Sequence, residues 1–488
     1  MSVLLAHMRE TYVIGAGPAG LASAIELSKA GEKFTVVEKA DIPGGLAKTY
    51  SFDEDGLVFR TDNGPHRFFS KNPYLYEFIG ELVGERWIEV KRQTRQHIAG
   101  KFYDYPIKPV QALANIGPTK AVRMIADYCV AQARYGLMKK PIRNFEDHVV
   151  AHFGRTLAEF NMINYTEKIW GVKASTIHSD WATQRIKGLS VGFLIKAAME
   201  GAIGSFRTAP LRTLVDSFYY PEYGTGLIYE TIAKKLADGG HPVRCGTYPI
   251  KIRHDGKRIT GITLKAGDRT EETAPDQIIE SIPPKEFLKL LDPVPPEAVM
   301  AAAERMRYRD QTYLFITLDK ERVTHDQWIY FPEKQIPFGR ISEMKNFSQK
   351  MSPPGKTSLF IEFFCFEGDA IWNAPKEYLL GLAMGHLERL GFCRQDEVRE
   401  SYLIRQKKVY PIYDTEYRSY LDPVKEYLDR FENLHYIGRP GRFRYNNQDH
   451  SLEMGIMAAR SVIEGKRHDL ERIGGEEEYF EKGTHGKA

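Results

Sequence analysis

Cysteine is scarce: the 488 residues hold four, Cys129, Cys245, Cys365 and Cys393, and none forms a C-x-x-C pair. That spacing excludes a cysteine zinc site, an iron–sulfur cluster and a disulfide framework, and it suits a reducing compartment. Long apolar runs are lacking too. The nearest approach, GFLIKAAMEGAIGSF at 192–206, carries Lys196 and Glu200 and falls short of the ~18 uninterrupted apolar residues that a membrane span needs. The opening MSVLLAHMRETYVIG has too short an apolar run for a secretory signal, and no small-residue cleavage pattern. A cytoplasmic protein without a transmembrane segment is expected. Charge of one sign is also scarce: 68 Lys and Arg against 64 Asp and Glu leave a net +4. That balance predicts neither a nucleic-acid surface nor a membrane patch. No metal cluster and no internal repeat is visible.

What is present is ordinary globular material in quantity. Hydrophobic residues make up 42% of the chain and charged residues 27%, enough for a large core distributed over two or three structural units. The 27 Tyr and 26 Phe suit a ring-lined cleft and a filled core equally. The first forty residues read as strand, turn, helix and strand: TYVIG is β-rich, PAGLASAIELSKAG repeats apolar residues at helical spacing, and KFTVVEK is a second buried strand. Residues 51–105 read as short strands and loops, and 110–205 as helices, with EDHVVAHFGRTLAEFNM among them. LIYETIAKKLADGG is a further helix ended by paired glycines, followed by short strands to 282. Residues 308–370 are strand-rich, a helix covers 376–391, and a final strand, NLHYIG, leads to a helix near SLEMGIMAARSVIEG. The acidic, glycine-bearing end is expected to be disordered.

The opening glycines carry the first chemistry. Gly15, Gly17 and Gly20 follow the first strand and open the first helix, the context that gives G-x-G-x-x-G its meaning. Gly15 permits the tight turn, Gly17 leaves room for a pyrophosphate, and Gly20 lets helix and strand pack closely. Pro18 and Ala19 begin a helix whose free N–H groups face the phosphates. Glu38, followed by Lys39, ends the second strand where an acid binds a ribose hydroxyl. Dinucleotide binding is therefore expected. A second glycine loop follows at Gly44-Gly45, with Leu46 and Ala47 behind it, and it suits a longer cofactor than NAD. A simple Pro-Gly turn is the competing reading.

Together these stretches, GAGPAGLASAIELSKAG and VVEKADIPGGLAKT, resemble the FAD-binding start of the amine oxidase and protoporphyrinogen oxidase type flavoprotein superfamily. Other segments narrow the likeness. NGPHRFFSKNP at 63–73, YTEKIWG at 165–171, FGRISEMKNF at 338–347 and GRPGRFRYNNQDHS at 438–451 are similar to segments of the UDP-galactopyranose mutase family, in that family's order. The resemblance implies bound FAD and an α/β fold: a Rossmann-type FAD-binding domain built from discontinuous segments, a helical insertion and a mixed or antiparallel substrate-binding sheet. The expected bounds are 8–105, 209–285 and 406–470 for the FAD domain, 106–208 for the insertion, 286–405 for the sheet and 471–488 for the tail.

The resemblance also implies site residues. His66 would sit against the flavin, although a lone histidine is more often structural. Tyr165 and Trp170 would face a sugar nucleotide, with a core plug as the alternative for Trp170. Arg340 would clamp a diphosphate, for which its planar fork is suited, against a salt bridge as the plain alternative. Alternation places Glu343 and Lys345 on the face opposite Arg340. Gly438 and Arg439 would hold the flavin pyrophosphate, with Asn447, Gln448 and Asp449 further cofactor contacts; Asp449 could instead only cap its helix. Arg444 and Tyr445 would reach substrate phosphate.

Two departures leave the substrate open. Gly192 falls where the mutases carry a second arginine, with Arg185 and Lys187 as nearby cations, and Phe363 falls where they carry a phosphate-binding tyrosine. Two enzyme readings stand: a nucleotide-sugar mutase acting through flavin N5, and a FAD-dependent oxidoreductase removing a hydride from a small molecule. A flavin-binding protein without turnover is the third. YGTGLIYETIAKKL at 223–236 lacks an upstream strand and a glycine triplet, so an NAD(P)H reductant would bind only transiently. The oligomeric state is left open.

Overall fold

The computed structural model describes residues 10–105, 117–181 and 217–474. At its centre is a four-stranded parallel sheet in the order Leu434–Tyr436, Gln277–Glu280, Glu10–Ile14 and Lys33–Val37. These strands are short, and their buried positions are mostly Val, Ile, Leu, Phe and Tyr, as suits a parallel sheet covered on both faces. The helix Pro18–Lys29 leaves the first strand and packs against Gln448–Glu464 from the far end of the chain. Backbone meets backbone at that contact. A Cβ on Gly20 would lie 1.9 Å from the carbonyl oxygen of Gly15, and one on Gly455 would lie 2.0 Å from that of Ala19.

A second, antiparallel sheet (Thr247–His254, Ile259–Ala266 and Arg269–Thr273, with the short parallel strand Leu291–Asp292) adjoins the first. The third sheet has seven strands, in the order Val398–Pro411, Tyr308–Leu318, Thr357–Cys365, Arg340–Glu343, Trp328–Tyr330, Thr94–Ile98 and Lys101–Asp104. All its pairings are antiparallel except that between Trp328–Tyr330 and Thr94–Ile98. The α/β architecture with a separate mixed sheet is thus as expected.

The boundaries shift. Residues 94–104 join the large sheet although they fall inside the expected first FAD segment, because Thr94–Ile98 finds its partner at Trp328–Tyr330. The strand Val398–Pro411 runs past the expected limit at 405. The helices Pro284–Leu290 and Glu297–Glu304 bury Phe287, Leu288 and Ala303 with Tyr420 and Val424 beside the parallel sheet, so the segment expected at 286–405 enters the large sheet only at Tyr308. Residues 471–474, placed in the tail by sequence, are ordered through the turn Leu470–Arg472.

Local chemistry explains the remaining differences. Pro73–Val83 is a helix rather than a loop: the Asn72 side chain accepts from Tyr74 N at 3.1 Å and Pro73 occupies the first turn. The expected helical run 146–162 breaks at Gly154, where a Cβ would stand 2.7 Å from Tyr128 N, so Phe145–Phe153 ends there. A strand, Ser217–Pro221, does precede YGTG, paired antiparallel with Trp87–Lys91. Glu343 turns away from Arg340 as expected and accepts from Val323 N and Thr324 N at 2.9 and 2.7 Å.

Replacing Gly455 by alanine is expected to cost about 1–3 kcal/mol through overpacking, read as a lowered melting temperature. A variant that melts with the parent contradicts the backbone contact.

Candidate active site

The dinucleotide end is built from bare backbone. Gly15, with φ at +100°, donates to the carbonyl of Val37 at 2.8 Å, a conformation that favours glycine. Gly44 N donates to Ala16 O at 2.8 Å, which folds the second glycine loop onto the first. There a Cβ on Gly45 would lie 3.0 Å from the Cα of Gly17. No side chain caps the helix at Gly17, so its first N–H groups stay open to an anion. Glu38 accepts from Ala16 N at 2.7 Å through one oxygen and from Ala40 N at 2.8 Å through the other. That holds its carboxylate at the end of the strand, where a ribose would lie. Lys39 is the exception: it is exposed and its ammonium sits 5.2 Å from the Tyr248 ring centre, outside the cradle.

Gly438 returns the chain to this cradle from the other end, a Cβ there falling 3.3 Å from that of Ala19. Arg439 follows. Its guanidinium lies 4.5 Å from the Tyr445 ring and 5.0 Å from the Tyr410 ring, and its Nε is buried with no hydrogen-bond partner among the described residues. An unsatisfied guanidinium N–H beside a glycine cradle fits a pyrophosphate, the group that would complete it. The donor set therefore fits FAD.

The three residues at the last helix divide their work. Asn447, not Asp449, is the cap, sharing reciprocal hydrogen bonds with His450. Gln448 accepts from Tyr229 OH at 2.8 Å and Thr225 Oγ1 at 3.2 Å, which ties its side chain to a neighbouring helix start. Asp449 is buried, and burial pushes its carboxyl up to about 7 against hydrogen bonds from the helix start and Ser70; its Oδ1 has no partner among the described residues.

Beyond the cradle the parallel sheet, the large sheet and the helical insertion meet. His66 donates from Nε2 to Leu46 O at 2.9 Å. Burial, reinforced by the charges of Arg439 and Arg340, pulls its pKa down to about 4 despite hydrogen bonds to Leu46 and Asn63, so the ring is neutral near pH 7. Arg340 is not a free clamp. Its Nε reaches Glu362 Oε1 at 2.5 Å and its Nη2 reaches Oε2 at 2.8 Å, a bidentate pair across adjacent strands in which Glu362 is fully buried. Burial opposes the arginine's charge, and the Glu362 carboxylate more than offsets it. Gln311 donates to Glu362 at 3.0 Å and accepts from Tyr313 OH at 2.7 Å.

Tyrosines surround this pair. Tyr165 meets the Tyr330 ring edge-on at 5.3 Å, while Tyr410 stacks on Tyr445 at 5.6 Å and 20°. Burial raises the pKa of Tyr165 and pushes that of Tyr410 up to about 12, so both phenols stay protonated. Tyr445 is fixed through its backbone N–H, which donates to Tyr413 OH at 2.6 Å. Trp170 does not present a face. It is buried edge-on against Trp181 at 4.7 Å and backs the stack at 5.9 Å from Tyr410. Arg444 turns outward instead of reaching substrate, donating to Glu471 O at 3.1 Å, because Glu471 gathers Lys425, Arg442 and Arg444. Arg185, Lys187 and Gly192 lie outside the described residues.

The departure read at Phe363 carries no weight, since its ring is fully buried on the other face of the sheet against Phe338. Phe364 is the ring on the site side, 6.4 Å from Tyr410. Sequence reasoning missed Glu362, Tyr410 and Tyr330. The signal for Glu362 was available: one acid in the otherwise apolar run SLFIEFFCF has to be paired. It also missed Lys168. That ammonium donates to the carbonyls of Phe331, Glu333, Ile336 and Phe338 at 2.6, 2.5, 2.9 and 3.2 Å, pinning the helical insertion to the loop before Arg340.

Residues 18–439 match the model of the family described as flavin containing amine oxidoreductase. Among curated proteins, a lycopene-forming phytoene desaturase of Pantoea ananas is 25% identical over 54% of each chain. An L-amino-acid oxidase of Bothrops pauloensis is 21% identical over 93% of this chain and 89% of its own. The chain spans about half the length of the desaturases it matches. Among solved structures, reduced UDP-galactopyranose mutase superposes with a TM-score of 0.81 at 24% identity, covering 96% of both chains. A putative protoporphyrinogen oxidase from Exiguobacterium sp. gives 0.69 at 16% identity, covering 94% of this chain and 99% of that one.

The depressed His66 pKa sets a pH dependence. An unfolded histidine takes up a proton near pH 6.5 and the folded one only near 4, so folding loses stability as pH falls between those values. The parent is expected to lose about 3 kcal/mol relative to His66→Gln across that window. Parallel pH–stability curves for the two would show that His66 is not held neutral.

Proposed function

The chain belongs to the flavin containing amine oxidoreductase family, and we propose that this FAD-dependent member acts on a glycosyl substrate, with a nucleotide sugar as the leading class. The observation that supports this most is the convergence of hydrogen-bonding rings around one ion pair: neutral His66, Tyr165 and Tyr410, with Tyr445 stacked on Tyr410, beside Arg340–Glu362. Stacked phenols offer flat faces and hydroxyls together, which is what a sugar ring needs.

Bound FAD supplies a two-electron centre and, when reduced, a nucleophilic N5. Gly15, Gly17, Gly45, Gly438 and Arg439 would hold its pyrophosphate and Glu38 its ribose. The protein's own part lies beyond that. His66, neutral and fixed to Leu46, presents a ring whose charge does not compete with the cofactor. Tyr410 and Tyr445 present their rings to substrate, and the protonated Tyr410 phenol donates to its oxygens. Tyr165 and Tyr330 close the side towards the helical insertion. Arg340 polarises a substrate oxygen while Glu362 limits the net charge it offers.

That limit favours a second reading. With the Arg340 charge matched by Glu362, a dianionic diphosphate gains less here than at a free arginine. An uncharged substrate that surrenders a hydride, as in an oxidoreductase of the kind named among the curated relatives, suits such a site as well.

The two readings separate in one assay. A panel of nucleotide sugars is offered to the holoenzyme anaerobically, with and without dithionite. Turnover that requires reduced flavin yet consumes no reductant is expected. Stoichiometric bleaching of oxidised flavin by a substrate would instead establish the oxidoreductase.

A further inference from the structure

The balanced net charge conceals a local bias. Between residues 118 and 143 the chain carries six Lys and Arg against a single acid, Asp127. Asp127 is turned inward, accepting from Thr156 N at 3.1 Å. Of the cations, Lys140 is held by Asp147, whereas Lys120, Arg123, Arg134, Lys139 and Arg143 are exposed.

The same stretch exposes apolar side chains. The helix Pro118–Ala131 packs inward through Tyr128 and Ala131, and Asp127 and Tyr128 close against Gly154. Its outer face carries Val122 at 67% exposure, Ile125 at 49% and Val130 at 61%. At 100° per residue these three share one stripe with Ala126 and Cys129, both also exposed. Just beyond the helix Leu137 is 83% exposed, Met138 73% and Ile142 42%. Half of the large exposed hydrophobics among the described residues therefore fall in this one segment, and scattered surface apolars would not be so grouped.

We propose that this face is a docking surface for an anionic lipid bilayer, on which the protein lies without crossing. No helix among the described residues is long and apolar enough to span a membrane. An apolar stripe flanked by Lys and Arg is the arrangement that inserts at the headgroup boundary and draws on anionic lipid. Charge complementarity separates a bilayer from a second copy of this chain, since a two-fold contact through the stripe would set the two rows of cations against each other. This surface is independent of the reaction assigned to the active site.

The test is sedimentation of the FAD-loaded protein with vesicles of phosphatidylcholine alone or with about 30% phosphatidylglycerol. Binding to the anionic vesicles at least about tenfold above the neutral ones, weakened by added salt, is expected. The double variant Leu137→Glu, Met138→Glu should lose it, while Val294→Glu, an equally exposed apolar site elsewhere, should keep it. Retained flavin and an unchanged melting temperature confirm that both variants fold. No sedimentation with either vesicle, or equal binding by the double variant, overturns the proposal. So does a concentration-dependent dimer that the double variant abolishes without any vesicle binding.

Discussion

Where the helix Pro18–Lys29 meets Gly15 on one side and Gly455 on the other, there is no space for a side chain, and most of the molecule's organisation follows from that closeness. The contact brings the last helix, Gln448–Glu464, against the first, so the two ends of the chain share one core. It also sets Gly438 and Arg439 beside Ala19, completing a phosphate cradle that neither end could form alone. The strands Lys33–Val37 and Gln277–Glu280 belong to the same unit, and the large sheet and the helical block are inserted between its segments.

A second constraint governs the chemistry. Glu362 is fully buried in a strand that is otherwise apolar, and it is tolerable only because Arg340 on the adjacent strand meets it with both nitrogens of its fork. The pair fixes the register at the centre of the sheet and moderates the positive charge available to a substrate. Around it burial lowers the proton affinity of His66 and keeps the phenols of Tyr165 and Tyr410 protonated. The candidate site is therefore built of rings and hydrogen-bonding groups more than of unpaired charge. Lys168 links this arrangement to the helical insertion by drawing four carbonyls of the loop before Arg340 around one ammonium.

The first glycine loop, its strands and its helix were legible because local sequence decides them: the turn, the close packing and the open helix end each need a particular residue at a particular place. The order of segments was legible for the same reason. Pairing partners were not. Nothing local in TRQHI says that it joins a strand 234 residues later, which is why the first boundary fell too far along the chain. The fate of each arginine was equally hidden. Arg340, Arg439 and Arg444 look alike in sequence, yet one is paired with a buried acid, one keeps an unsatisfied Nε beside the cradle, and one turns to Glu471. The facing of Phe363 and Phe364 depends on strand register, which alternation suggests but only the partner strand fixes. The exposed basic stripe at 118–143 escaped the net charge because acids elsewhere cancel it.

FAD binding depends on the cradle formed where the first glycine loops meet Gly438 and Arg439. Flavin content of the purified protein tests it most directly, by absorbance of the native sample and of the supernatant after denaturation. One FAD per chain, retained through gel filtration and released only on unfolding, is the predicted result. A colourless protein that also fails to take up added FAD would contradict it.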